Sequence, residues 1–168
     1  METLASFVQK STAFIQAFNT FGDEHGLALL TKVDHIGFKC ESTEQFEQLR
    51  ALLEPEAHFV YQSYISGRRI AIIKLRQPFE TVLGPIHFFE LSDQKPDNSQ
   101  TARFDHAEIY PVGITHEQLA HALEGKGIVM EKTERPHHTT YDISLGEDIK
   151  LKLTREPLIE KIKRDEML

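Results

Sequence analysis

Hydrophobic positions at the start of the chain recur three and four residues apart: Leu4, Phe7, Val8, Ser11, Phe14, Ile15, Phe18 and Phe21. That spacing predicts an amphipathic helix whose aromatic stripe, Phe7, Phe14, Phe18 and Phe21, covers a sheet. Gly22, Asp23 and Gly26 interrupt it, and the pattern changes period. Residues 32–40 alternate, with Ile36, Phe38 and Cys40 on one side and His35, Gly37 and Lys39 on the other, as a half-buried strand does. Ser42-Thr43-Glu44-Gln45 then fits a capping box, and Phe46, Leu49, Leu52 and Leu53 continue it as a helix that Pro55 stops. β-type runs follow at 58–65 and 69–75, joined through Ser66-Gly67, and at 86–91.

Segment 92–102 is polar and nearly free of apolar residues, a surface linker, and after it the order begins again. Residues 104–110 alternate as a strand in which Asp105-His106 echoes Asp34-His35. Thr115-His116-Glu117-Gln118 offers a second capping box, followed by Leu119, Ala122 and Leu123 up to Gly125, and three strands are expected near 128–134, 139–145 and 148–154. His35 and His106 lie 71 positions apart, Ser42 and Thr115 73. This is an internal repeat. The chain divides into an N-terminal helical extension (1–30), a βαβββ module (31–92), a linker (93–102), a second module (103–155) and a C-terminal tail helix (156–168), together one domain. The tail is charged and short, and is expected to fray.

Strand parity sorts the sheet into two faces. Ile36, Phe38, Ile109, Leu151 and Leu153 are expected to pack under the helices. The opposite face carries His35, Gly37 and Lys39, then Phe88 and Glu90, then His106, Glu108 and Tyr110, and finally Lys150, Lys152 and Thr154. Asp34 and Asp105 have the other parity and are expected to point at the helix layer, bonding a turn or helix terminus, with support of the histidines as the second use. Glu90, set among Ile86, Phe88, Phe89 and Leu91, would cost several kcal/mol to bury unpaired and so needs a metal, a cation or water. Glu108 is the candidate general base, a salt bridge to Lys150 or Lys152 being the alternative.

Composition narrows the chemistry further. The 168 residues include 19 Lys and Arg against 26 Asp and Glu, a formal charge of -7 that gives no general attraction for nucleic acid or an anionic membrane. Cys40 is the only cysteine, which excludes an internal disulfide and cysteine-based zinc or iron-sulfur sites, and leaves nine histidines as ligands or proton carriers. With no basic leader and no apolar run of membrane length, a cytoplasmic address is expected. Lys39, Arg68, Lys150 and Lys152, with Tyr110, are the candidate contacts to a carboxylate- or phosphate-bearing substrate. His137-His138, after Pro136, fall in a loop that can close over the pocket or simply be exposed, and His25, His58, His116 and His121 are assigned no role.

The repeat, with a histidine early in each module and a glutamate ending the first, resembles the vicinal oxygen chelate superfamily, which includes glyoxalase I, extradiol dioxygenases, methylmalonyl-CoA epimerase and bleomycin-resistance proteins. More narrowly, Val33-Asp34-His35-Ile36, Ile65-Ser66-Gly67-Arg68-Arg69-Ile70, Ile73-Lys74-Leu75, Phe89-Glu90-Leu91 and Asp105-His106-Ala107-Glu108-Ile109 resemble the YecM-like branch of bacterial proteins. The resemblance implies an α+β fold: two paired βαβββ modules forming a curved, cup-like mixed sheet, helices on its outer face, and an N-terminal helix. It implies a divalent metal on His35, Glu90 and His106. The fourth superfamily position falls near Lys152, where many relatives have glutamate, and a protonated lysine has no lone pair to give.

Two imidazoles and a carboxylate suit Zn, Mn, Ni, Fe or Co. The expected function is metal-assisted isomerase, lyase or oxygenase chemistry on a small oxygenated metabolite, with an anionic one as an option. The alternative is a non-catalytic module that sequesters a small molecule in the same cup, with or without metal; a metal-free remnant is the third reading. Oligomeric state is not set by these features, and a monomer can complete the cup.

Overall fold

The computed structural model describes residues 2–136, 138–146 and 148–165. Its first module consists of strand β1 (Thr31–Lys39), helix α3 (Thr43–Leu53) and strands β2 (Ala57–Ile65), β3 (Arg68–Thr81) and β4 (Gly84–Ser92). Strand β5 (Arg103–Pro111), helix α4 (His116–Gly125) and strands β6 (Glu131–Arg135), β7 (His138–Gly146) and β8 (Ile149–Leu153) repeat that order. The strands make one curved sheet in the order β2-β3-β4-β1-β5-β8-β7-β6. Each module thus folds its last strand parallel to its first, and the two first strands, β1 and β5, pair antiparallel at the centre.

The helix starts follow their capping chemistry. Thr115 and Gln118 close a reciprocal box at α4. At α3 the Ser42 hydroxyl accepts from Gln45 N–H, but the Gln45 side chain reaches one residue further back, to Glu41 N–H at 2.8 Å. The N-terminal stripe forms two helices, α1 (Leu4–Lys10) and α2 (Thr12–Glu24), rather than one. The buried Ser11 hydroxyl donates to the Val8 carbonyl at 2.6 Å, and this back-bonding breaks the helix there.

Phe7 inserts under the sheet against Phe38, Phe89 and Phe104, with ring centroids 5.2, 5.5 and 5.3 Å away. Phe14 and Phe18 are buried alongside, while Phe21 is only partly covered. Ile36, Phe38, Ile109, Leu151 and Leu153 belong to the same core, together with Phe46, Leu49 and Leu53 of α3 and Leu119 and Leu123 of α4. One face of the sheet is therefore sealed, and the chemistry is confined to the other.

The C-terminal tail departs from expectation. Residues Leu158–Asp165 form helix α5, which lies on the concave face of the first module instead of fraying. Ile162 packs on Ile70 and Ile72, with Leu158, Phe88 and Tyr61 around them. Leu158 and Ile162, one helical turn apart, give the charged segment an apolar edge; residues 166–168 lie outside the described residues. Ile162→Glu would place an unpaired charge in that contact, at a cost of several kcal/mol. It is expected to raise hydrogen exchange across 158–165 at least tenfold while the circular dichroism of the modules stays unchanged. Wild-type protection in the variant would show that the helix is held some other way.

Candidate metal centre

The central β1–β5 pair carries a bulge on each strand. Val33 faces Ile109 and His35 faces Glu108, so Asp34 is an extra residue on β1. Gly37 faces His106 and Phe38 faces Phe104, so Asp105 is the extra residue on β5. A bulge swings its extra side chain out of the strict alternation. Each aspartate consequently contacts its neighbouring histidine instead of turning to the helix layer: His35 Nδ1 lies 2.7 Å from Asp34 Oδ2, and His106 Nδ1 3.1 Å from Asp105 Oδ2. The expected helix-terminus bond is also present, because Asp34 Oδ2 accepts the Leu158 N–H of α5 at 3.0 Å.

With Nδ1 held, both Nε2 atoms face the same place. His35 Nε2 is 3.4 Å from Glu90 Oε2 and 3.2 Å from Glu108 Oε2; His106 Nε2 is 3.7 and 3.6 Å from the same two carboxylates. One donor atom from each of His35, Glu90, His106 and Glu108 lies within 4.8 Å of all the others. His35 Nε2 is buried and makes no well-directed hydrogen bond. Gly37 makes room for this arrangement, since a Cβ on it would stand 2.4 Å from the His106 ring.

Burial opposes charge on His35, Glu90 and Glu108, yet their mutual field prevails. Burial alone would lower the His35 pKa, but the charge of Glu108, the Asp34 hydrogen bond and the nearby Glu90 hold it well above its ordinary value. Burial would raise Glu108, and the charge of His35, the His138 contact and His106 hold it well below the usual carboxylate range. Glu90 is lowered as well, against burial, by His35 and His106. These directions favour a proton on His35, between two carboxylates.

The register shows how the second carboxylate of the four donors arises. Gly37 pairs with Glu90 across β1 and β4, and their counterparts in the second module, Glu108 and Lys152, pair across β5 and β8. Glu108 thus carries its carboxylate one strand over from Lys152. Lys152 itself is drawn off to Asp142, 3.5 Å away.

The other expected contacts divide. Lys39 is bonded to Asp105 at 3.0 Å, and with Lys150 and Lys152 it lines a cavity of about 300 Å³ over the second module. A second cavity, of about 230 Å³, has Glu108 in its wall. Arg68, at the start of β3, and Tyr110, near the end of β5 and raised in pKa by burial and by Asp34, line neither cavity. His138 joins the site: its Nε2 is 3.6 Å from Glu108 Oε1. Nothing in local pattern separates it from His137, which lies outside the described residues; only the strand geometry of β7 brings it in. His116, assigned no role by sequence pattern, is buried, with Nε2 2.9 Å from the Leu153 carbonyl and the ring edge-on to Tyr141.

The model of the YecM protein family matches residues 3–163. The chain belongs to the YecM family. A solved structural-genomics protein designated EC4020 superposes on this YecM-family protein with a TM-score of 0.76, at 21% identity over 96% of this chain and 92% of that one. Weaker likenesses include a variant of Streptomyces coelicolor methylmalonyl-CoA epimerase in complex with 2-nitronate-propionyl-CoA (TM-score 0.49, 17% identity, 74% and 96% covered). Another is a variant of the Listeria monocytogenes fosfomycin resistance protein FosX with Mn(II) and 1S,2S-dihydroxypropylphosphonic acid (TM-score 0.28, 12% identity, 77% and 96% covered). No curated protein matches the sequence. The paired βαβββ modules are the vicinal oxygen chelate fold. No helix among the described residues is long and apolar enough to cross a membrane.

Two outcomes follow for the metal-free protein. The raised His35 pKa contributes stability that is complete below its unfolded value of about 6.5 and is lost as pH rises through the folded value. The depressed Glu90 and Glu108 pKa values contribute stability that is present above about 4.5 and lost as pH falls. Chemical denaturation across pH should give a plateau between these limits, and His35→Gln should remove the alkaline decline; an unchanged decline would place its origin elsewhere. Gly37→Ala is expected to displace the His106 ring, visible as a shift of its imidazole resonances in a folded protein. Wild-type resonances would show that the site accommodates the methyl group.

Proposed function

We propose that this YecM-family protein holds one divalent metal ion on His35, Glu90, His106 and Glu108 and acts on a small oxygenated metabolite by isomerase- or lyase-type chemistry. The observation that carries this reading is the convergence of four donors in which each imidazole is backed by its own aspartate. Such a partner keeps the proton on Nδ1 and presents the Nε2 lone pair to an ion. Two glutamates offset the two charges of the ion, and the unbonded Nε2 of His35 gains its missing partner. When bound, the ion supplies a Lewis acid able to polarise a carbonyl and stabilise an enolate.

The remaining work falls to the chain. Asp34 and Asp105 orient the imidazoles, and Gly37 seats the His106 ring. Sequence pattern suggested Glu108 as a free base. Its place in the donor set supports sharing that task with His138, whose Nε2 can pass a proton to or from Glu108 Oε1. Two carboxylates favour this class over oxygenation, because the facial triad of non-haem iron oxygenases has one. Mn, Ni, Fe or Co, which commonly take more than four ligands, would keep room for substrate oxygens, whereas Zn is satisfied by four.

Protein purified without chelator is expected to carry about one equivalent of a divalent metal, measured by elemental analysis. Affinity should fall at least tenfold in His106→Ala and in Glu90→Ala, the size typical even of lost supporting contacts. Because the ion must displace the His35 proton, affinity should rise with pH, and calorimetry in buffers of different ionisation enthalpy should show proton release. A wild-type protein that takes up no Zn, Mn, Ni, Co or Fe(II) would sink the reading. Equal affinity in the wild type and both variants would sink the ligand assignment.

A further inference from the structure

We infer that helix α5 is a positioning element of the candidate centre. Its Leu158 N–H fixes Asp34, Asp34 fixes the His35 ring, and docking of the helix and binding of an ion at His35 reinforce each other. The coupling to an ion rests on the metal-centred reading above; the hold on the ring does not. One carboxylate oxygen carries the link, since Asp34 Oδ2 accepts the Leu158 N–H at 3.0 Å and lies 2.7 Å from His35 Nδ1. Leu158 opens α5, so its amide has no acceptor within the helix, and a carboxylate placed there also meets the positive end of the helix.

The repeat shows why Asp34 needs this outside partner. Positions 71 apart are equivalent in the two modules, as His35 and His106 are. Asp105, the counterpart of Asp34, is held by two cations that face each other across β1 and β5, Lys39 at 3.0 Å and Arg103 at 3.4 Å. Their counterparts, Tyr110 and Lys32, also face each other across the same strands, but Tyr110 carries no fixed charge and Lys32 is exposed. Neither bonds Asp34 among the described residues, where its partners are His35 and the Leu158 amide. Asp34 is buried, and a buried carboxylate is costly without donors. In the second module the sheet supplies them; in the first, α5 does.

The seat of the helix adjoins the same centre. Leu158 and Ile162 pack on Ile70, Ile72 and Phe88, and Glu90 lies on the face of β4 that carries Phe88, paired with Ile72 of β3. The helix therefore borders a second proposed ligand while it holds the partner of the first. An ion at Nε2 requires His35 to keep its proton on Nδ1 and its ring in one orientation, and an Asp34 fixed by α5 has that orientation prepared. The linkage is reciprocal: whatever factor a docked α5 adds to ion affinity, the bound ion adds to the docking of α5. Sequence pattern does not mark Leu158 for this role, because the acting group is a backbone amide and its acceptor lies 124 positions away.

The test compares Leu158→Pro with Leu158→Ala in the full chain. Proline at a first helical position keeps the turn but has no N–H, whereas alanine keeps the N–H and shortens the side chain. In protein freed of metal with chelator, the His35 imidazole resonances should move in Leu158→Pro and stay at their wild-type positions in Leu158→Ala. Calorimetric titration with Mn(II), and separately with Ni(II), should show affinity at least about fivefold weaker in Leu158→Pro and in Ile162→Glu, which detaches the helix without altering Asp34. Leu158→Ala should bind like the wild type. The bound ion should slow hydrogen exchange across 158–165 of the wild type by a similar factor. Wild-type His35 resonances in Leu158→Pro, or equal shifts in both Leu158 variants, would overturn the positioning role. Unchanged affinity in Leu158→Pro and Ile162→Glu, or exchange indifferent to the ion, would overturn the coupling. A wild type that binds neither ion sinks the metal centre, and the imidazole resonances then decide by themselves whether α5 positions His35.

Discussion

The structure turns on a surplus of buried negative charge. Asp34, Glu90, Asp105 and Glu108 converge within contact distance of two imidazoles and one lysine, Lys39, and three of the four acids are almost wholly buried. Carboxylates this close cannot all stay ionised in a low-dielectric interior without cations among them. Protonation of His35, which its raised pKa favours, meets part of that requirement. A positive charge placed among the four donor atoms would meet the rest, so the proposed ion binding rests on charge balance rather than on motif.

Backbone geometry makes that concentration of charge possible. An unbulged β1–β5 pair would send each aspartate to the face opposite its histidine, into the core beside Ile36 and Ile109, with no imidazole to answer it. The paired bulges place both acids on the histidines at no cost to the sealed face, and the repeat ensures that the device occurs twice. Symmetry is then broken at the centre. Gly37 and Glu108 occupy equivalent positions; one is empty to admit the His106 ring and the other is filled to complete the donor set.

Helix α5 changes what the cup can admit. By covering Ile70, Ile72 and Phe88 it removes the first module's apolar concavity from access, leaving the approach along the second module, where the lysines and arginines lie. The result is a mostly polar entrance to a buried polar centre.

Sequence alone determined the repeat, the order of helices and strands, the sealed face and three of the four converging donors, because hydrophobic period and strand parity are local properties that survive into the fold. Parity failed at Asp34 and Asp105, since a bulge depends on pairing between strands far apart in the chain. It placed Glu108 on the right face without showing that it meets Glu90, a matter of cross-strand distance. His138 carries no periodic signal, and only tertiary structure brought it to the centre. The apolar edge of α5 was present in the sequence as Leu158 and Ile162, but two residues in a charged segment acquire meaning only from the concave surface that receives them.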